Sequence, residues 1–498
     1  MKLPVIPYPQ QVEALEGSYT FPESGPQIRR ETLQELAEEA YNLTISPEGI
    51  LIQSASESGF LNAGRTLRQI IRHTPNRTLP CCVIQDFPRY SHRGFMLDCV
   101  RHFFTVAEIK KLIDAMAMFK MNVFHWHLTD DQGWRIQIDR YPLLTEIGSK
   151  RPYSDFGRDY EPGEYGGFYT KDDIREIVAY CTARCIEVIP EIEFPGHATS
   201  ILAAYPELSC DGHPVQVSTR GGVHTNTICV SSEKTMEFVQ NVLTEVAGLF
   251  PGKRIHLGGD EAPKDHWMNC PHCQAYMEEH GLKNALELQC DFTNRVAEFL
   301  KQYDKTAVVW SDSIKGHNLS PEVTSQYWVG DINLTTEHLN KGGKTIMSTC
   351  GVFYLDMSYG QTAVSTTYQG VDEILGVLPE REAGILGIET PLWTEFIQNF
   401  ERLAFQAFPR AAAAAERAWS SAEISDVDDF KARFKLLSAD LTEIGVSPAP
   451  EKLWDMPKPK RIWDALKYWH HAMTRDDIQK GIAQMKRERK EAEYEKQS

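Results

Sequence analysis

No run of apolar residues in this chain is long enough to cross a bilayer, and the opening Met1-Lys-Leu-Pro-Val-Ile-Pro-Tyr-Pro9 lacks the apolar core and cleavage site of a secretion signal. No membrane span is therefore expected, and the chain should remain in the cytoplasm. A surplus of positive charge is missing too: 52 Lys and Arg stand against 69 Asp and Glu, a formal net charge of -17. Nucleic acid and anionic membranes would be repelled by such a surface, so a neutral ligand is the better partner. Cysteine is scarce and odd in number, 11 in 498 residues, with no disulfide-like spacing, as suits a reducing compartment. Cys270-Pro-His-Cys273 has the form of half a zinc site, but no second pair at suitable spacing follows it. His266, His272, His280 and Cys290 stand near enough to keep a metal open. The simpler reading is a reduced pair that stabilises a loop, with neither metal nor cofactor expected. Solenoid-type repeats and low-complexity linkers are also absent.

What is present is too long for one ordinary core, which points to a large barrel or sheet domain with smaller units attached. From Arg93 onward short apolar runs alternate with amphipathic stretches. Strands are expected at 93–98, 122–128, 186–193, 254–259, 306–311, 324–328, 345–349 and 385–390. Ile109, Leu112, Ile113 and Met116 repeat at helical spacing, as do Ile174, Ile177, Val178 and Cys181. Thr105 with Glu108, and Thr170 with Asp173, read as capping boxes that start those two helices. The pattern predicts an α/β fold: a (β/α)8 TIM barrel over 91–425, preceded by a small α/β domain over 1–90 and followed by a helical C-terminal extension over 426–498. An open doubly wound sheet is the alternative. The closing mixed-charge run from Lys486 to Lys496 reads as a solvated helix face or frayed tail without chemistry.

Barrel enzymes keep their functional side chains at the carboxyl ends of the strands, and nearly every expected strand ends in polar groups. Asp98 and Arg101 follow the first; His125, His127, Asp130 and Asp131 the second; Glu191, Glu193 and His197 the third. The fourth ends in the adjacent acids Asp260 and Glu261, the fifth in Trp310 and Asp312, the sixth in Trp328. Tyr354 and Asp356 follow the seventh; Glu389, Trp393 and Glu395 close the series. Two carboxylates forced together cannot both titrate normally, so one can hold a proton near neutrality while the other stays charged. An acidic helix N-cap is the bland reading of the same dipeptide. The histidines and carboxylates also suit a metal hydrolase, but no third ligand has a familiar spacing. The tryptophans fit a sugar instead, whose apolar C–H faces stack on indole while carboxylates and arginine take its hydroxyls.

His256-Leu-Gly-Gly-Asp-Glu261 is similar to the signature of glycoside hydrolase family 20, the β-N-acetylhexosaminidases. Leu97-Asp-Cys-Val-Arg101-His-Phe, Phe124-His-Trp-His-Leu-Thr-Asp-Asp131, Pro190-Glu-Ile-Glu-Phe-Pro-Gly-His197 and Ala415-Glu-Arg-Ala-Trp-Ser420 resemble its other blocks, in order. The resemblance implies a retaining exo-enzyme in which the substrate's own acetamide attacks the anomeric carbon. It makes Glu261 the general acid and base, and Asp260 the residue that orients the acetamide, its charge raising the pKa of Glu261. Tyr354 would donate to the acetamide oxygen, with Trp310, Trp328 and Trp393 as walls. Arg101, Glu395 and Asp356 would bind hydroxyls, and His127 is grouped with these substrate-binding residues. Asp130 and His197 would form a relay behind Glu261. Glu193 departs from the aspartate many members carry, which implies rearranged hydrogen bonds around His197. Implied partners are oligosaccharides or glycoconjugates ending in N-acetylhexosamine, and a homodimer is kept open. The rivals are a double-displacement β-glycosidase with Glu389 or Glu395 as nucleophile and a non-catalytic sugar-binding protein.

Overall fold

A computed structural model describes residues 2–375 and 384–474; the Lys486–Lys496 run lies outside them. Five strands open the chain: β1 (Gln11–Thr20), β2 (Ile28–Thr32), β3 (Tyr41–Ser46), β4 (Gly49–Ser54) and β5 (Thr78–Asp86), in the order β1-β5-β3-β4-β2. Tyr41, Leu43 and Ile45 of β3 and Ile50 and Ile52 of β4 alternate into the core, as period-2 patterning requires. Helix α1 (Glu57–Arg72), N-capped by Ser56, packs its apolar stripe against these two strands. Asp86 at the end of β5 fastens this unit to the rest of the chain. It accepts from Lys120 Nζ at 2.7 Å, Tyr41 Oη at 2.5 Å and Trp419 Nε1 at 2.8 Å, all buried.

All eight expected barrel strands are present: β6 (His92–Asp98), β7 (Val123–His127), β8 (Glu187–Glu191), β9 (Arg254–His256), β10 (Thr306–Trp310), β11 (Thr324–Tyr327), β12 (Lys344–Met347) and β13 (Ile385–Leu392). They pair in parallel and close into a barrel, β13 joining β6, which rules out the open sheet. Strands covered on both faces need no polar alternation, and every residue of β6 and β7 is buried. Helices α2 (Val106–Met118) and α3 (Lys171–Thr182) start at the two expected capping boxes, with Thr105–Glu108 and Thr170–Asp173 bonded reciprocally.

Helices follow the barrel, as expected. The first, α4 (Val427–Glu443), is wedged into the barrel's outer core: Phe430, Phe434, Leu437 and Leu441 are fully buried. Arg433 on its inner face grips Glu416 through both oxygens, at 2.7 and 2.8 Å. The second, α5 (Lys458–Ala472), lies across the barrel mouth and exposes Ile462, Trp463 and Leu466 to solvent. No helix among the described residues is long and apolar enough to cross a membrane.

Candidate active site

Strand register sets the floor of the site. Asp98, His127, Glu191 and His256 are level across β6, β7, β8 and β9, so four ionisable side chains meet in one layer of the barrel. Such a layer survives burial only if its charges pair. Glu191 accepts from His127 Nδ1 and Trp310 Nε1, the latter at 2.7 Å, and lies 2.9 Å from His256 Nδ1. Glu389 lies 2.7 Å from His125 Nδ1 and 2.9 Å from His92 Nε2, and accepts from Gln326 at 2.7 Å. Burial alone would raise the pKa of both carboxyls, but the histidines around them outweigh it and hold both far below the usual range. His125 is pushed up to about 9 by Glu389 and Glu191 in spite of its burial.

Above this floor His197 stands between two pairs of acids. Its Nδ1 lies 3.2 Å from Asp130 and 3.0 Å from Asp131; its Nε2 lies 3.7 Å from Asp260 and 3.8 Å from Glu261. His197 and Glu261 both take left-handed backbone conformations, each with φ of 47°. Non-glycine residues there carry strain, a recurrent feature of functional positions. Two glycines make the turn that presents the acids. Gly258 has φ of 65°, and a Cβ on it would sit 1.6 Å from Glu193 Oε2. Glu193 is therefore the bed under the glycine turn. His197 takes its close partners from the neighbouring strand end instead, Asp131 among them.

Both acids of the pair are shifted upward. Burial is the main cause for Asp260, pushed up to about 7, with Glu261, Asp312 and Glu191 adding to it against His197. Burial also raises Glu261, helped by Asp312 and Asp130 and opposed by His197 and Arg101. Desolvation is thus the first cause for both acids, and Asp312 adds like charge to each. Asp260 Oδ1 is buried without a hydrogen-bond partner among the described residues.

The walls form a continuous aromatic run. The Arg101 guanidinium sits 5.0 Å from the centre of the Trp393 ring; Trp393 is 6.5 Å from Tyr354, and Tyr354 stacks at 6.2 Å on Trp328. Trp328 Nε1 donates to Asp312 at 2.8 Å, which ties the run back to the acid pair. Trp310 lies deeper, 6.1 Å from Trp393, and His127 is wholly enclosed beneath Trp393. Thus His127 and Trp310 shape the site from below, whereas Trp328, Tyr354, Asp356, Trp393 and Glu395 line a cavity of about 660 Å³. Arg101 is fixed by Asp130 at 2.8 Å and Asp98 at 3.2 Å, with Glu395 at 3.8 Å. Burial pushes the Asp356 carboxyl up to about 7, with Glu395 adding to it.

Sequence reasoning misses the far wall. Tyr468 and Trp469 of α5 line the same cavity, although the charge pattern of the C-terminal region points to no chemistry there. Aromatics amid the charges of Lys458–Ala472 are the available signal. Asp131 and Asp312 stand at strand ends in the sequence, but nothing in their spacing tells them from solvated acids.

Comparison with known proteins agrees with this architecture. Residues 90–422 match the catalytic domain of glycosyl hydrolase family 20, and residues 23–87 match domain 2 of the same family. A β-hexosaminidase of Porphyromonas gingivalis is 37% identical over 446 residues, 85% of this chain and 56% of that protein. This chain thus spans little more than half of that relative. A β-hexosaminidase of Akkermansia muciniphila is 36% identical over 410 residues, covering 80% of this chain and 82% of the relative. The crystal structure of a Vibrio harveyi exo-β-N-acetylglucosaminidase with N-acetylglucosamine superposes with a TM-score of 0.79 at 30% identity, over 91% of this chain and 79% of that one. An eight-stranded barrel with paired acids after its fourth strand, matched along two thirds of its length to one catalytic domain, places this chain in glycosyl hydrolase family 20.

Proposed function

We propose that the chain is a retaining exo-β-N-acetylhexosaminidase that removes terminal, non-reducing β-linked GlcNAc or GalNAc by substrate-assisted catalysis. The observation that carries this reading is the adjacent acid pair, Asp260 buried and Glu261 partly exposed, set beside Asp312 and its aromatic partner Trp328, with one oxygen of Asp260 unpartnered among the described residues. Glu261 gives its proton to the glycosidic oxygen as the bond to the anomeric carbon breaks and the acetamide oxygen attacks that carbon. Asp260 accepts the acetamide N–H, which favours its anion and stabilises the positive oxazolinium-like intermediate. Tyr354, whose hydroxyl burial keeps protonated, donates to the acetamide oxygen. The Glu261 carboxylate then takes a proton from the water that attacks the same carbon, and configuration is retained.

The rival nucleophile Glu389 is poorly placed for double displacement, being 1% exposed and bonded to His92, His125 and Gln326 on the floor. Glu395 stands at the rim, 3.8 Å from Arg101. Arg101, Glu395 and Asp356 are ready to take a terminal sugar's hydroxyls, which favours exo cleavage. All 11 cysteines are unpaired, which supports action in a reducing cytoplasm on oligosaccharide or glycoconjugate fragments.

Turnover of aryl β-glycosides of GlcNAc, GalNAc, glucose and galactose tests the reading. Only the N-acetylated pair should be cleaved, with inhibition by a thiazoline mimic of the intermediate. Equal cleavage of glucosides without thiazoline inhibition would overturn it.

A further inference from the structure

Away from the sugar pocket, four cysteines from three segments converge: Cys210, Cys229, Cys270 and Cys273. Their sulfurs all lie within 4.8 Å of one another, and Cys273 is 3.9 Å from Cys210 and 3.8 Å from Cys229. A zinc ion with four thiolates at about 2.3 Å requires sulfurs about 3.8 Å apart along each tetrahedral edge. A disulfide requires about 2.05 Å, which these pairs do not approach. An iron–sulfur cluster would hold its ligating sulfurs farther apart, because iron and sulfide lie between them. We propose that Cys210, Cys229, Cys270 and Cys273 form a structural tetrathiolate zinc site.

The missing half of the Cys270-Pro-His-Cys273 pair precedes it in the chain, in the loops between β8 and β9. Buried thiols commonly pack as small apolar groups, but that role does not bring four to one point. The other His and carboxylate clusters among the described residues belong to the barrel floor and the sugar site already described. The thiols have little else to bond: Ser231 Oγ, 3.2 Å from Cys273, is the neighbour outside the quartet. Binding is not a redox step. Four S–H bonds are lost, four Zn–S bonds form, and the protons leave to solvent, giving a site of net charge -2 if all four thiols ionise.

The ion would staple two loops of the catalytic face. Cys210 and Cys229 close the ends of a loop whose Arg220, Gly221 and Gly222 line the sugar cavity. Cys270 and Cys273 follow the short helix Asp265–Asn269 downstream of Glu261. Between the loops, buried Trp267 donates through Nε1 to the Ile228 carbonyl at 2.9 Å. Metal at this point would fix both the cavity wall and the segment carrying the general acid, without touching the sugar.

The test is metal analysis of the full-length, untagged protein after dialysis against a mild chelator. We expect about one zinc per chain, released by a mercurial as about four thiols are titrated. Exchange with Co2+ should give the visible bands of a tetrahedral tetrathiolate. Cys210→Ser and Cys273→Ser should each lose most of the zinc, lower Tm, and raise KM several-fold more than they lower kcat. If these variants are insoluble, the wild-type zinc content and cobalt spectrum decide. A wild type that stays metal-free with zinc added, iron in place of zinc, or full zinc retention in soluble Cys→Ser variants would overturn the site.

Discussion

The barrel floor and the cavity mouth treat the same side chain in opposite ways. Glu191 and Glu389 on the floor are held far below the usual carboxylate range, because histidines surround each of them. A layer above, burial raises Glu193, Asp260, Glu261, Asp356 and Glu395, with too little compensating positive charge. The lesson is that proton affinity here follows the count of facing cations rather than depth. The floor is a fixed lattice of charge that holds the barrel; the mouth is where protons can be exchanged.

Removing the proton donor at the mouth should have the largest effect. Glu261→Gln is expected to lower kcat on an aryl N-acetylglucosaminide by about 10²–10⁴-fold with the fold intact by circular dichroism. A variant within twofold of wild type would end its assignment as general acid.

At the floor the consequence should be structural instead. Glu389→Gln leaves His92 and His125 facing a neutral group, and breaking a buried ionic pair costs about 3–5 kcal/mol. Urea unfolding would measure it, and an unchanged midpoint would erase the contrast between floor and mouth.

Asp260→Asn separates the two regions by pH. The folded pKa of Asp260, about 7, lies above its ordinary 3.8, so its stabilising contribution is complete below 3.8 and is lost as pH rises through 7. The neutral variant should therefore match wild type in Tm near pH 4 and exceed it at pH 8, while losing most turnover. Wild-type kcat/KM should be bell-shaped, since turnover needs Asp260 ionised and Glu261 protonated in the same molecule. Equal Tm differences at both pH values would contradict the assignment of burial as the cause.

The smallest effect belongs to the far wall. Trp469→Ala should raise KM for an oligosaccharide a few-fold while leaving the aryl glycoside nearly unchanged, since Trp469 lines the outer part of the cavity. Equal changes on both substrates would remove α5 from leaving-group binding.

Much of this is legible in the chain alone. The eight strands are readable because parallel strands covered on both faces are short apolar runs, and the helices because Thr105 and Thr170 announce their own starts. Asp260 and Glu261 stand out because two acids follow directly on two glycines. Legibility fails where partners are distant in the chain. Asp131 facing His197, Glu193 beneath Gly258, and Tyr468 in the cavity wall depend on separations that no local pattern records.

The sequence by itself determined the barrel, the place of the acid pair and the kind of ligand its aromatics favour, since hydrophobic period, turn chemistry and charge are local properties. Tertiary structure alone decided which carboxylates would be pinned by histidine and which left to burial. It also decided that a helix near the described C-terminal end would wall the cavity, and that Cys210 and Cys229 would meet Cys270 and Cys273. Each depends on distances set by closing the barrel, and electrostatic energies change with those distances rather than with position along the chain.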